Sequence, residues 1–101
     1  MCLPLIVSLL SKTDVIEISG WYDAQTPKTG ERFFKSLDKK FDMICENPLV
    51  YRAFKNSEIR KCKVAPWPYQ VFFTCTGDLI DVIAIIHTSR DSKYITQRTG
   101  S

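Results

Sequence analysis

A chain of 101 residues with a net charge of +3 is sized for one domain, spanning residues 1–101, and buries roughly 65% of its unfolded surface on folding. That burial supports a core without staples, and the mild basicity falls short of the dense positive stripe of a dedicated nucleic-acid binder. One histidine and four cysteines, none in a C-x-x-C pair, exclude the zinc-binding spacings, so no metal or other cofactor is expected.

The apolar stretch 2–10 has no Lys or Arg before it and no small-residue cleavage site after it. It is also far short of the roughly 20 residues that span a bilayer. It predicts a first strand over residues 5–10, begun by Pro4, in a cytoplasmic protein without membrane association whose cysteines are reduced. Ser11-Lys12-Thr13-Asp14 then fits a helix start, a hydroxyl at the cap with an acidic side chain three residues on. Val15, Ile18 and Tyr22 follow at helical spacing with Trp21 beside them. Gly20 inside this helix costs about 1 kcal/mol relative to Ala, which points either to close approach of another backbone or to simple tolerance.

Thr26-Pro27 predicts the end of the first helix and the cap of a second, which runs to about Glu46. Phe34, Leu37, Phe41 and Ile44 form its apolar stripe, widened by Phe33 and Cys45, with Lys35, Asp38, Lys39 and Asp42 opposite. Asn47-Pro48 stops it. Two helices with so short a link are expected to form an antiparallel hairpin on a sheet.

A loop over residues 49–57 leads to a second strand over 59–64. There Arg60, Cys62 and Val64 share one face and Ile59, Lys61 and Lys63 the other. Residues 65–68 form a rigid connection, and 69–75 a third strand. Thr76-Gly77-Asp78 is a hairpin turn. The fourth strand, 79–87, is apolar on both faces except at Asp81, which places it centrally in the sheet. Residues 91–98 read as a short helix or ordered tail. The architecture is therefore α+β: a mainly antiparallel four-stranded sheet carrying an N-terminal strand and a helix hairpin.

No glycine-rich nucleotide loop and no serine-hydrolase elbow occur. The constellation that carries chemistry is basic and aromatic: Arg60, Lys61, Lys63, His87, Arg90, Lys93, Tyr94 and Arg98. Metal-free RNA cleavage needs such groups. A base takes the 2′-OH proton, cations hold the developing phosphorane charge, and an acid protonates the leaving oxygen. Arg60, His87, Arg90 and Tyr94 are the catalytic candidates, and Lys61, Lys63, Lys93 and Arg98 the RNA-binding ones. The plainer alternative is a solvated basic surface with a structural histidine at a strand end.

Several local words occur in a telling order: Trp21-Tyr22-Asp23-Ala24-Gln25, Gly30-Glu31-Arg32-Phe33, Glu46-Asn47-Pro48, Ile59-Arg60-Lys61, Trp67-Pro68-Tyr69-Gln70-Val71-Phe72-Phe73 and His87-Thr88-Ser89-Arg90-Asp91. Over residues 12–98 the chain resembles the RelE/ParE superfamily of bacterial type II toxin–antitoxin toxins. The resemblance implies a helix hairpin on a mainly antiparallel sheet. It also implies a cognate antitoxin whose disordered segment folds over the toxin in a hetero-oligomer. RelE-like members cleave mRNA on the ribosome, and Arg90 and Tyr94, with Arg60, are similar to residues of that pattern. ParE-like members instead inhibit DNA gyrase without catalysis of their own, and the Trp67-Pro68-Tyr69 and His87-to-Asp91 words occur among them too. Three readings follow: a ribosome-dependent endoribonuclease, a gyrase-binding toxin, and an inactive member that binds only its antitoxin.

Overall fold

The computed structural model describes residues 2–53 and 58–89. In chain order these form β1 (Leu5–Val7), α1 (Leu9–Gln25), α2 (Thr29–Glu46), a 3-10 turn (Pro48–Val50), β2 (Ile59–Lys63), β3 (Tyr69–Thr76) and β4 (Leu79–His87). The strands lie in the order β1-β4-β3-β2. β1 pairs parallel to β4, and the other two pairings are antiparallel. The expected α+β architecture, a helix hairpin on a mainly antiparallel four-stranded sheet, is what the chain adopts. The C-terminal helix or tail predicted over 91–98 lies outside the described residues.

Apolar alternation explains how the sheet divides its side chains. Val71, Phe73, Ile80, Val82 and Ile85 face the helices and join Ile18, Phe33, Leu37, Ile44, Cys62 and Val64 in the main core. Phe72, Ala84 and Ile86 face the other way and pack with Ile59 and Ile83. A bulge shifts the β3–β4 register between Phe72 and Phe73, with Phe72 opposite Ala84 and Phe73 opposite Val82. Ile83 is the extra residue, and it lets a strand apolar at nearly every position keep both alternations. β4 is central, as its composition predicts.

The structure moves the expected boundaries at the first helix. β1 stops at Val7: Ser8 N–H still donates to Val82 O at 3.0 Å, but the Ser8 side chain caps the helix by accepting Ser11 N–H at 3.2 Å. Ser11 is therefore no cap. It is fully buried one turn inside α1, and its Oγ donates to Val82 O at 3.1 Å. Asp14 is likewise drawn away from capping: its Oδ2 accepts Ile85 N–H at 3.1 Å.

The helix hairpin also differs in detail. Thr26 closes α1 rather than opening α2, its N–H donating to Tyr22 O. α2 begins at Thr29 after Lys28, which has φ 69°. Its buried face is Gly30, Phe33, Leu37, Ile44 and Cys45, with Phe41 packed against the core; of the predicted stripe Phe34 alone turns outward, 54% exposed. Gly30 fixes how closely α2 seats on α1. Its N–H donates to Asp23 Oδ1 at 2.9 Å, and a Cβ there would stand 2.5 Å from Ser19 O. The close approach suspected at Gly20 belongs to Gly30 instead, since a Cβ at Gly20 would meet nothing within 4 Å.

The cysteines are not all reduced, contrary to the composition argument. Cys2 and Cys45 form a disulfide with Cα atoms 4.9 Å apart, while Cys62 and Cys75 are free thiols. Strand pairing and the hairpin bring the chain start beside the end of α2, where Leu3 N–H donates to Cys45 O at 2.9 Å. A separation of 43 residues hides that proximity in the sequence.

Candidate functional site

The site forms where β4 outruns β1. β1 matches β4 only from Ile80 to Val82, so the remaining length of that β4 edge has no strand beside it. α1 crosses the gap, and its residues 14, 17 and 21, one face by helical spacing, turn toward the strand end. Asp14, Glu17 and Trp21 with Tyr69, Ile86 and His87 line a cleft of about 240 Å³. A second hollow of similar size adjoins it, lined by Trp21, Tyr22, Pro68, Tyr69 and His87.

Aromatic rings pack behind the two hollows. Tyr22 stacks edge-on with Trp67 at 4.9 Å, and Phe33 with Trp67 and with Tyr69, each at 5.5 Å. Tyr69 meets His87 edge-on at 5.2 Å, its direct cross-strand partner. Such arrangements suit the ring quadrupoles and hold each ring in place. Burial pushes the Tyr22 phenol above its ordinary value, with Tyr69 adding to the shift. The Trp21-Tyr22 and Trp67-Pro68-Tyr69 words thus meet in space.

His87 is oriented by its own turn. Its Nδ1 accepts Ser89 N–H at 3.1 Å, and Ser89 Oγ lies 2.8 Å from the same nitrogen. With Nδ1 accepting, the neutral ring carries its proton on Nε2.

The other predicted site residues do not join His87. Arg60 lies on the helix-facing side opposite Phe73, four β3 positions from Tyr69 and so about 13 Å away along the strand. Its Nη1 donates to Tyr51 O at 2.7 Å and to Leu49 O at 3.5 Å. The guanidinium therefore ties the loop after α2 to β2, where Lys61 N–H also donates to Arg52 O. Lys61 and Lys63, opposite Phe72 and Gln70, project from the reverse face of the sheet. Arg90, Lys93, Tyr94 and Arg98 lie outside the described residues. Among the described residues, the cleft beside His87 has two carboxylates and no Lys or Arg in its lining.

Asp14, Glu17 and Trp21 are the residues that sequence reasoning missed. Their spacing of three and four was a legible signal, but Asp14 fitted a cap. Elsewhere α1 leaves Leu9 and Ile16 largely exposed, at 80% and 72%. Among the described residues no cluster of His, Cys, Asp and Glu fits a metal ion, and no helix is long and apolar enough to cross a membrane.

A family model described as the ParE toxin of the type II toxin–antitoxin system parDE matches residues 5–92. Among solved structures, the chain is similar to one from the chromosomal ParDE toxin–antitoxin system of P. aeruginosa. The TM-score is 0.77 and the identity 15%, over 85% of this chain and 96% of that one. It is also similar to a mutant of the E. coli toxin RelE in the free state, with a TM-score of 0.72 and 14% identity over 99% and 97% of the two chains. At these identities the likeness is one of fold. No curated protein matches by sequence.

Proposed function

Because the chain belongs to the ParE toxin family of type II toxin–antitoxin systems, we propose that it arrests growth by binding a protein target, DNA gyrase, and not by cutting RNA. A toxin of this class has a cognate antitoxin that neutralises it. One observation carries the choice of target: the cleft at His87 offers carboxylates and aromatic rings, with no cation among its described lining residues. A phosphodiester in transit to a phosphorane needs fixed positive charge beside the proton-transfer group. Here Arg60 is held by backbone carbonyls, and Lys61 and Lys63 stand on the opposite face of the sheet. The exposed apolar residues of α1, Leu9, Leu10, Ile16 and Trp21, suit protein contact better than a polyanion. The RNA-cleaving alternative rests on Arg90 and Tyr94, outside the described residues.

Controlled induction with parallel pulse-labelling of DNA and protein synthesis tests the proposal, together with supercoiling by purified gyrase. Block of supercoiling with translation continuing is the expected outcome. Cleavage of mRNA within codons, relieved by Arg90→Ala or Tyr94→Phe, would overturn it in favour of a ribosome-dependent nuclease. A folded product with no growth defect would leave only an antitoxin-binding role.

A further inference from the structure

We propose that Cys2 and Cys45 are a reversible thiol–disulfide site, open to small disulfides of the glutathione class, whose state sets how firmly the N-terminal strand is held to the fold. The inference stands apart from the choice of cellular target. β1 is an edge strand with three ladder positions on β4, and Ile6 within it is 52% exposed. Short edge elements are the first to open in a folded chain. Two backbone bonds flank β1, from Leu3 N–H to Cys45 O at 2.9 Å and from Ile80 N–H to Pro4 O at 3.0 Å. The first of these holds the two cysteine segments in register whether or not the sulfurs are joined. The Cα spacing of 4.9 Å lies within the range a disulfide spans, so the bond closes and opens without moving the backbone far.

The two sulfurs differ in access. Cys2 is exposed, whereas Cys45 is 5% exposed at the end of α2, where the helix dipole disfavours negative charge. Exchange therefore begins at Cys2. Its thiolate attacks one sulfur of the oxidised small disulfide and expels one small thiolate. The Cys45 thiolate then attacks the Cys2 sulfur of the mixed disulfide and expels the second. The protein loses two electrons and two protons, and the oxidant becomes two thiols. Reduction runs through the same intermediate with two small thiols as electron donors. Cys62 does not compete: it is buried, and burial holds it as the neutral thiol.

Closing the bond joins β1, α1 and α2 into one covalent ring. Opening it leaves β1 on its short ladder and lengthens the reach of the unfolded chain. The test uses the full chain purified without reductant and equilibrated across a series of reduced-to-oxidised glutathione ratios. Each sample is denatured, alkylated with iodoacetamide and weighed. Two alkylated cysteines, Cys62 and Cys75, with a Cys2–Cys45 linked peptide, are expected at the oxidising end, and four alkylated cysteines at the reducing end. The oxidised form should melt roughly 10 °C or more above the reduced form. That gap should vanish in Cys2→Ser, an exposed position, and persist in Cys75→Ser. Four alkylated cysteines at every ratio, a linked peptide containing Cys62 or Cys75, or equal melting of the two forms would each overturn the proposal.

Discussion

Replacing Gly30 by alanine should destabilise the protein, although alanine is the better helix former. Gly30 lies in the first turn of α2, where the exchange alone gains about 1 kcal/mol. Against this, the new Cβ would stand 2.5 Å from Ser19 O, 2.8 Å from Asp23 Oδ2 and 3.0 Å from Asp23 Cγ. The carboxylate can rotate away, but only by loosening the 2.9 Å bond it accepts from Gly30 N–H. The Ser19 carbonyl belongs to the α1 backbone and moves only if the helices separate. Overpacking of this kind costs about 1–3 kcal/mol, and with a backbone atom in the clash the upper part of that range applies. The net is a loss of about 1–2 kcal/mol, or a fall in melting midpoint of roughly 4–16 °C for a domain of this size. Gly20→Ala is the internal control. It sits in the same hairpin with nothing near its Cβ, so it should gain about 0.5–1 kcal/mol. Urea unfolding of both variants measures the two signs. Equal stabilisation by both would refute the contact argument and leave helix propensity as the whole effect.

Three further outcomes follow from named contacts. Asp14→Ala removes the acceptor for Ile85 N–H and should cost about 1–2 kcal/mol in chemical denaturation, whereas Asp14→Asn keeps a carbonyl oxygen and should lose less. Arg60→Met should lower stability by about 1–2 kcal/mol by stripping the donor from Tyr51 O; growth arrest should then track the amount of folded protein. The Cys62 thiol and the Tyr51 and Tyr22 phenols are all pushed up, chiefly by burial. The fold thus holds these protons more tightly than the unfolded chain does, and the contribution is complete below the ordinary values of 9.0 and 10.0. Melting midpoints should be lost progressively as pH rises from about 9 upward, with a shallower first part of that decline in Cys62→Ala; a midpoint that rises across the range would contradict the sign.

The parts of the fold legible in the sequence are those set by local pattern. Strand alternation put Cys62 and Val64 on one face, which proves to be the core face, and Lys61 and Lys63 on the other. The unbroken apolar run through Ile83, Ala84 and Ile86 marked β4 as central, and Asn47-Pro48 ended α2 where it does end. What the sequence hid was decided by contacts between distant segments. Ser11 and Asp14 fit a capping pattern, but β4 presents Val82 O and Ile85 N–H to α1, and satisfying those groups outweighs a cap one turn later. Phe34 fits a helical stripe, yet it turns outward while Phe33 beside it is buried. The candidate site divides along the same line. Arg60 and His87 look alike in a list of reactive residues, but Arg60 is drawn to the 49–51 loop and His87 to its own turn.

The character of the cleft follows from the shortness of β1. A full-length neighbour would have covered the β4 edge with backbone and left no room beside His87. Because Ser8 turns the chain into α1 after Val7, the helix must supply the missing partner, and the side chain it uses at Ile85 is a carboxylate. That choice places negative charge at the rim, and the same helical face brings Glu17 and Trp21 alongside. With Asp14 and Glu17 in its lining and no Lys or Arg among the described lining residues, the cleft repels a phosphate. On the proposed reading, an aromatic-walled cleft with an acidic rim instead receives an apolar or cationic side chain from another protein. The means of satisfying one strand edge thus sets the charge of the described lining at the strand end.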